Sequence, residues 1–374
     1  VIGATTGAAP QDPPEPARQD PPELAPVRPG EELDFDALAA YLRAHIPGLD
    51  GEFSVLQFPN GSANLTYQVR FGDRRLVVRR PPFGEIAPGA HDMRREYRAL
   101  SRLYRGYPRA PRAFLLCDDK SVIGADFLVV EYRPGVVVWG AVPAAMRHHP
   151  DAARRIGFAV VDALADLHRV DPAACDLADL GRPDGFLARQ VAGWTRRWNL
   201  VAPPEGGGPV EALGERLAAA IPVSTRASIL HNDFKIDNCQ FDPADPDRVV
   251  SVFDWDMATL GDPLVDLGTL LNYWPDPSDT ELPGEPVMPD GLAEMGLPTH
   301  AEVVERYAAR SGVDTRHVAW YAAYGCWKTA VILRQLYARY LRGETTDERM
   351  GTRGRHIDGL ARRGLALLDR GAEQ

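Results

Sequence analysis

The apolar positions divide the chain into two stretches with different periods. From 34 to 46 (DFDALAAYLRAHI) they recur at helical spacing, with Asp34 placed to cap the helix. Strand-like runs follow at 53–58, 64–71 and 75–80. PNGSA separates the first two, and Gly72-Asp73 between the last two is a hairpin signal. A second helical pattern covers 90–105, then two strand runs cover 113–117 and 126–132. Three strands, a helix and two strands predict a small five-stranded antiparallel sheet with one helix packed on it. Arg133-Pro134-Gly135 breaks the pattern.

Beyond that break the period is mainly helical. Helices are predicted over 151–168, 184–198, 210–220, 300–310, 314–341 and 355–369, the long one with a bend or boundary near Gly325. Residues 203–209 read as a loop, and 275–296 as an irregular excursion rich in Pro, Asp and Glu. The fold class is therefore α+β: a sheet lobe over 31–135 and a larger, mainly helical lobe over 136–374. Residues 1–30 hold eight prolines and few large apolar side chains. Such a segment buries too little to offset its ordering entropy, which predicts a disordered arm. Its alternative is a docking peptide for a proline-reading partner.

Composition narrows the function. The 374 residues are 45% hydrophobic, enough for a sizeable core, and carry a net charge of −10. That sign works against nucleic acid or an anionic membrane surface as partner. No apolar run approaches bilayer length, and no basic region followed by an apolar run opens the chain. Cys117, Cys175, Cys239 and Cys326 are scattered without ligand spacing. A cytoplasmic protein with reduced thiols is expected; its oligomeric state is left open.

The polar motifs lie at 231–238 (HNDFKIDN) and 249–256 (VVSVFDWD). Residues 238–241 and 249–254 suit strands joined by the turn-rich DPADPDR. A hairpin centred on Pro246 would set Asn238 opposite Asp254. An amide oxygen beside a carboxylate suits a hard cation such as Mg²⁺, which takes oxygen ligands and phosphate partners. Asp233, on the loop leading in, is placed to hold an acceptor hydroxyl in line and take its proton, as phosphoryl transfer requires. Plainer readings are a loop hydrogen bond for Asp233, a turn residue for Asn238 and a turn cap for Asp254. Asp256 would touch a second ion or only its own loop. His231 reads as a histidine bracing the loop, since no second His or Cys stands at zinc spacing nearby.

These two blocks resemble the HxDxxxxN loop, the metal-binding strand and the GDPxxDL segment (here VFDWDMATLGDPLVDLG) of the aminoglycoside phosphotransferase and choline kinase superfamily, of which protein kinases are distant relatives. The resemblance implies a bilobal, protein-kinase-like fold that moves the γ-phosphate of ATP or GTP, with Mg²⁺, onto a hydroxyl of a small molecule. It makes Asp233 catalytic, Asn238 and Asp254 metal ligands, and Asp266 a brace of the loop; on its own Asp266 reads as a helix N-cap. It places Arg79 of LVVRRPP where relatives carry a phosphate-binding Lys, and Glu96 as its partner. Arg79 otherwise reads as a solvated strand residue, with Arg80 the competitor if the register slips. The turn 59–64 resembles a phosphate-covering loop, with Ser62 and Asn64 backbone groups on the phosphates. Glu131 and Tyr132 would form the hinge that meets the nucleotide base.

By the markers VVRRPP, HDMRREYRALSRL and VIGADFLVVEY, the chain is similar to bacterial phosphotransferases like the kinase-like domain fused to some acyl-CoA dehydrogenases. That association points to a hydroxy acid or hydroxyacyl thioester as acceptor. Trp327, Lys328 and Arg334 are candidate acceptor contacts, or core packing and surface charge at helical spacing. Competing readings are a catalytically silent nucleotide-binding module, a kinase acting on a polypeptide, and a metal-dependent hydrolase.

Overall fold

A computed structural model describes residues 24–59, 64–83, 92–204, 206, 208–284, 287–345 and 347–372. Residues 1–23 of the expected arm, and Ser62, lie outside them. Residues 24–30, also expected in the arm, run along the first strand instead. Ala25 and Gln57 exchange backbone hydrogen bonds of 2.8 and 2.9 Å, and the Arg28 amide donates to Gln57 Oε1 at 2.8 Å.

The sheet lobe opens with helix α1 (Phe35–His45), capped by Asp34, whose carboxylate accepts from the Ala37 amide. Strands β1 (Phe53–Gln57), β2 (Leu65–Phe71) and β3 (Arg74–Arg80) follow, then α2 (Met93–Leu103), β4 (Ala113–Cys117) and β5 (Phe127–Glu131). All pairings are antiparallel and the strand order is β1-β2-β3-β5-β4. Gly72 turns the β2–β3 hairpin at φ 54°, a conformation that disfavours any residue with a Cβ.

Strand alternation then assigns the faces. Leu76 and Val78 of β3 join Leu38, Leu42, Tyr67 and Phe127 in a small core under α1. Val77 and Arg79 point the other way, toward α2 and the second lobe. Arg80 shares the Leu76 face, where its guanidinium donates to the Ile123 carbonyl and stacks on Phe83. Of the two arginines, this parity turns Arg79 rather than Arg80 toward the second lobe.

The second lobe begins with β6 (Val136–Val137). It continues through α3 (Ala152–His168), α4 (Phe186–Asn199), α5 (Pro209–Ala219), β7 (Ser228–Leu230), β8 (Cys239–Asp242), β9 (Asp245–Val252), β10 (Thr259–Gly261) and α6 (Leu264–Asn272). Helices α7 (His300–Ser311), α8 (Val318–Leu341), the short α9 (Glu348–Thr352) and α10 (Ile357–Ala372) complete it. The chain is thus bilobal and kinase-like. Strands β6, β8 and β9 form one small sheet and β7 pairs with β10. Strands β6, β7 and β10, of two or three residues, are too short to show a period. The segment 231–238 crosses from β7 to β8, between the two small sheets.

Helix α8 is continuous through Gly325, where a bend or boundary was expected. The glycine serves close approach instead. A Cβ on Gly325 would lie 2.6 Å from the Gly268 carbonyl oxygen of α6, and one on Gly268 would collide with the Tyr321 carbonyl of α8. Two facing glycines let the helix backbones touch. Gly268→Ala should therefore destabilise the protein by about 1–3 kcal/mol through overpacking, despite alanine's better helix propensity. Denaturant unfolding would read this as a lower midpoint at unchanged slope.

Candidate active site

A cleft of about 250 Å³ lies between the lobes, walled by β3, α2 and β5 on one side and by β6 and the 235–254 region on the other. Arg79 reaches across it. Its guanidinium meets Glu96 at 3.2 Å and Asp254 at 2.6 Å, joining β3, α2 and the segment after β9. Glu96 belongs to the buried stripe of α2 with Met93, Ala99, Leu100 and Leu103. Burial pushes its carboxyl up to about 7, against the pull of Arg79. Burial also works against ionisation of Asp254, but Arg79 outweighs it and holds that carboxyl below the ordinary range.

The hairpin register differs from the expected one. Cys239 pairs with Val252 and Gln240 with Ser251, while Asp242 pairs with Asp245 across Pro243-Ala244. The turn therefore lies at 243–244 rather than at Pro246, and two register shifts in β8 absorb the extra residues. At the cleft end Asn238 faces Phe253, whose amide donates to the Asn238 carbonyl at 3.1 Å. Asp254 lies one residue further on, at φ 73°. Both side chains nevertheless line the cleft. The Asn238 amide nitrogen donates to the Asp233 carbonyl at 2.8 Å and to its carboxylate at 3.2 Å. Its donor end is thus committed to Asp233, leaving the oxygen end for a cation.

Asp233 is itself raised above the usual carboxylate value by burial, partly countered by Lys235 and Lys328. Asp256 is pushed up to about 7 by burial and then by Asp254, which places it in the same charge cluster. The loop backbone is held from beneath. The Asp266 carboxylate accepts from the His231 and Asn232 amides, both at 2.7 Å, and meets His168 Nε2 at 3.3 Å. His231 contacts the Phe253 carbonyl through Nε2 at 2.9 Å and takes the Asp233 amide on Nδ1 at 3.3 Å. Asp266 is not a helix cap but lies within the first turn of α6; Asp262, just ahead of the helix, accepts from the Leu264 amide at 2.9 Å.

On the sheet-lobe side, Asn64, Glu131 and Tyr132 line the cleft. The Asn64 side chain is buried with neither amide atom hydrogen-bonded. Glu131 takes the Arg112 amide at 3.1 Å and Arg133 at 2.8 Å. The acceptor candidates separate. Trp327 is core: its indole N–H donates to the Val210 carbonyl of α5 at 2.9 Å, and the ring fills the space beside Gly214. Arg334 ties α8 to the Val201 carbonyl at 2.6 Å. Lys328 is buried under the loop, its Nζ 2.5 Å from the Asn232 carbonyl. None of the three lines the cleft.

Sequence reasoning passed over Lys235, whereas Trp139 was a candidate for the acceptor pocket of the helical lobe. Both line the cleft, and the Lys235 ammonium lies 3.3 Å from Asp237 and 3.7 Å from Asp233. The available signal for Lys235 was its place two residues after Asp233, with strand alternation absent and the loop committed to charge. Among the described residues no three His, Cys, Asp or Glu side chains gather as a metal cluster. One amide oxygen and one carboxylate still suit Mg²⁺, which keeps waters and takes the rest of its shell from phosphate.

A bilobal fold with such a loop between its small sheets defines the phosphotransferase class. The chain belongs to the APH phosphotransferase enzyme family, whose model matches residues 54–321. It is 31% identical over 339 residues to acyl-CoA dehydrogenase family member 10 of Mus musculus, covering 90% of this chain and 31% of that protein. It is 29% identical over 368 residues to acyl-CoA dehydrogenase family member 11 of Homo sapiens, covering 95% of this chain and 46% of that protein. The chain therefore spans less than half the length of these curated relatives. Among solved structures, a Ralstonia eutropha protein assigned as an aminoglycoside phosphotransferase matches with TM-score 0.73 and 27% identity, covering 91% of this chain and 99% of that one. Macrolide 2'-phosphotransferase type I shares the fold at TM-score 0.53 and 19% identity, covering 86% of this chain and 95% of that one.

Asp266→Asn tests the support beneath the loop. An amide keeps one acceptor oxygen but turns a donor toward the second backbone N–H, at a cost of about 1.5–3 kcal/mol. Burial raises the Asp266 carboxyl, but His168 and the His231 amide outweigh it and hold the group low. Its contribution is thus present above about pH 4, the unfolded value, and is lost as pH falls through the depressed folded value. Chemical denaturation of both proteins should show the full difference at pH 7 and a shrinking one below pH ~4.

Proposed function

We propose that this chain is a small-molecule kinase. It moves the γ-phosphate of ATP or GTP onto a hydroxyl, with Mg²⁺, and Asp233 orients the acceptor. The observation that carries this is that Asn238 and Asp254 line the cleft spanned by the Arg79–Glu96 pair, while Asp233, which is not itself a lining residue, is tied to Asn238 at 3.2 Å beside it. Family membership and the 27% identical Ralstonia fold support the class of reaction.

Each residue has a task set by its surroundings. Asn238 and Asp254 would hold Mg²⁺, which when bound neutralises charge on the β- and γ-phosphates. Arg79 offers a planar fork to phosphate oxygens while Glu96 keeps it aimed. The unpartnered Asn64 amide supplies hydrogen-bonding capacity at the phosphate end, and the backbone at Glu131 and Tyr132 meets the base. Lys235 brings a positive charge to the rim of Asp233. Asp233, held by Asn238, accepts a hydrogen bond from the attacking hydroxyl and takes its proton late in transfer. His231 and Asp266 keep the loop in shape, and Asp256 serves a second cation or its own turn.

The acceptor class comes from the relatives. Their names join a domain like this one to acyl-CoA dehydrogenation, which favours a hydroxy acid or hydroxyacyl thioester. Incubating the protein with Mg²⁺, ATP or GTP, and pools of hydroxy acids, hydroxyacyl thioesters, amino alcohols and sugars should give a new phosphoester resonance by phosphorus NMR in the acyl pools. Nucleotide hydrolysis with no phosphoester in any pool would sink the reading.

Two substitutions separate the carboxylates. Asp233→Ala should lower the transfer rate ~10²–10⁴-fold with nucleotide affinity nearly unchanged. Asp254→Ala should chiefly weaken binding of the Mg²⁺–nucleotide, read by calorimetric titration with and without the metal. Transfer by Asp233→Ala above about a tenth of wild type contradicts its role.

A further inference from the structure

We propose that Lys328 is a positioning residue: it holds the Asn232–Asp233 peptide and so aims Asp233. This rests on the phosphoryl-transfer reading above. Lys328 lies in the middle of α8 and is 6% exposed. Its Nζ stands 2.5 Å from the Asn232 carbonyl oxygen, the carbonyl of the peptide bond that leads into Asp233. Asn232 is left-handed at φ 66°, a conformation that a non-glycine residue keeps only when its surroundings over-determine it.

Those surroundings can be enumerated. The Asn232 amide donates to Asp266, its side-chain nitrogen donates to the Met257 carbonyl at 2.8 Å, and its carbonyl accepts from Lys328. Without the ammonium, that carbonyl loses the donor that holds it and the peptide plane can rotate, carrying the Asp233 side chain with it. Burying an ammonium is costly, and packing alone would be served as well by an apolar side chain. A buried lysine here therefore points to its charge and its donor.

The depth of the ammonium is set by the helix pair. Gly325, one turn before Lys328, brings α8 onto the Gly268 carbonyl, and Thr329 accepts from Asn272 of α6 at 2.9 Å. Helix α6 carries Asp266. The two touching helices thus deliver an anion to the loop's N–H groups and a cation to its carbonyl. Lys328 is not part of the cleft wall, which separates this role from contact with the acceptor.

Lys328→Met in the full chain conserves volume and removes the donor. The turnover rate should fall about 10–10²-fold, as expected for a displaced reactive group, while KM for nucleotide and acceptor stays within about threefold. Amide hydrogen exchange across 231–238 should speed up about tenfold or more. In Lys328→Ala, ethylammonium should restore part of the turnover. Unchanged turnover, or a raised acceptor KM at constant turnover, overturns the proposal. If wild-type protein transfers phosphate to no hydroxyl acceptor, the kinase reading fails. The exchange measurement then decides separately whether Lys328 holds the peptide: faster exchange upholds it and unchanged exchange overturns it.

Discussion

A left-handed peptide buried beneath a cleft must have all its polar groups satisfied, and much of the second lobe is arranged around that requirement. Backbone N–H and C=O groups removed from water are costly when unpaired. At residues 231–233 part of the pairing comes from within the loop, through His231 and Asn238, and the rest from outside it. Asp266 takes two N–H groups, Lys328 meets a carbonyl, and His231 bridges to the Phe253 carbonyl. Helices α6 and α8 supply the first two, and their facing glycines place both within reach. Helix packing and loop geometry are thus one problem rather than two.

A second constraint joins the lobes. Arg79 is buried, and a buried guanidinium needs carboxylate partners. It has two, Glu96 from its own lobe and Asp254 from the other. Their carboxyls respond in opposite directions, Glu96 raised by burial and Asp254 held low by the guanidinium. Under the proposed function, the same arginine that links the lobes would meet the phosphates, so that nucleotide binding and lobe geometry share one contact. The Asn64 amide, buried in the same cleft, has no hydrogen-bond partner among the described residues.

Legibility in the sequence varied with the kind of information. The sheet lobe was readable because β2, β3 and β5 alternate or run apolar within clear turn signals, and β4 occupies the expected 113–117. Helix α2 was readable from its apolar stripe, but the burial of Glu96 within it was not, since only the resemblance singled that residue out. The Asn238–Asp254 pairing was misjudged by one residue, because register shifts and a tight Pro243-Ala244 turn leave no local signature. Trp327 and Arg334 could not be assigned from spacing, since an aromatic packed on α5 and an arginine tied to Val201 look like pocket residues in a linear pattern.

By itself the sequence determined the two periods, the order of elements, and the polar motifs at 231–238 and 249–256, leaving Arg79 and Arg80 in competition. These are local, because backbone geometry repeats every two or 3.6 residues and the side chains record it. Only the tertiary structure decided that Arg79 meets Asp254, that Lys328 lies under Asn232, that Asp266 holds the loop amides instead of capping α6, and that Gly325 is a contact instead of a bend. Those pairings join residues up to 175 positions apart. They depend on how closely whole helices and sheets approach, and no periodic pattern along one segment encodes that distance.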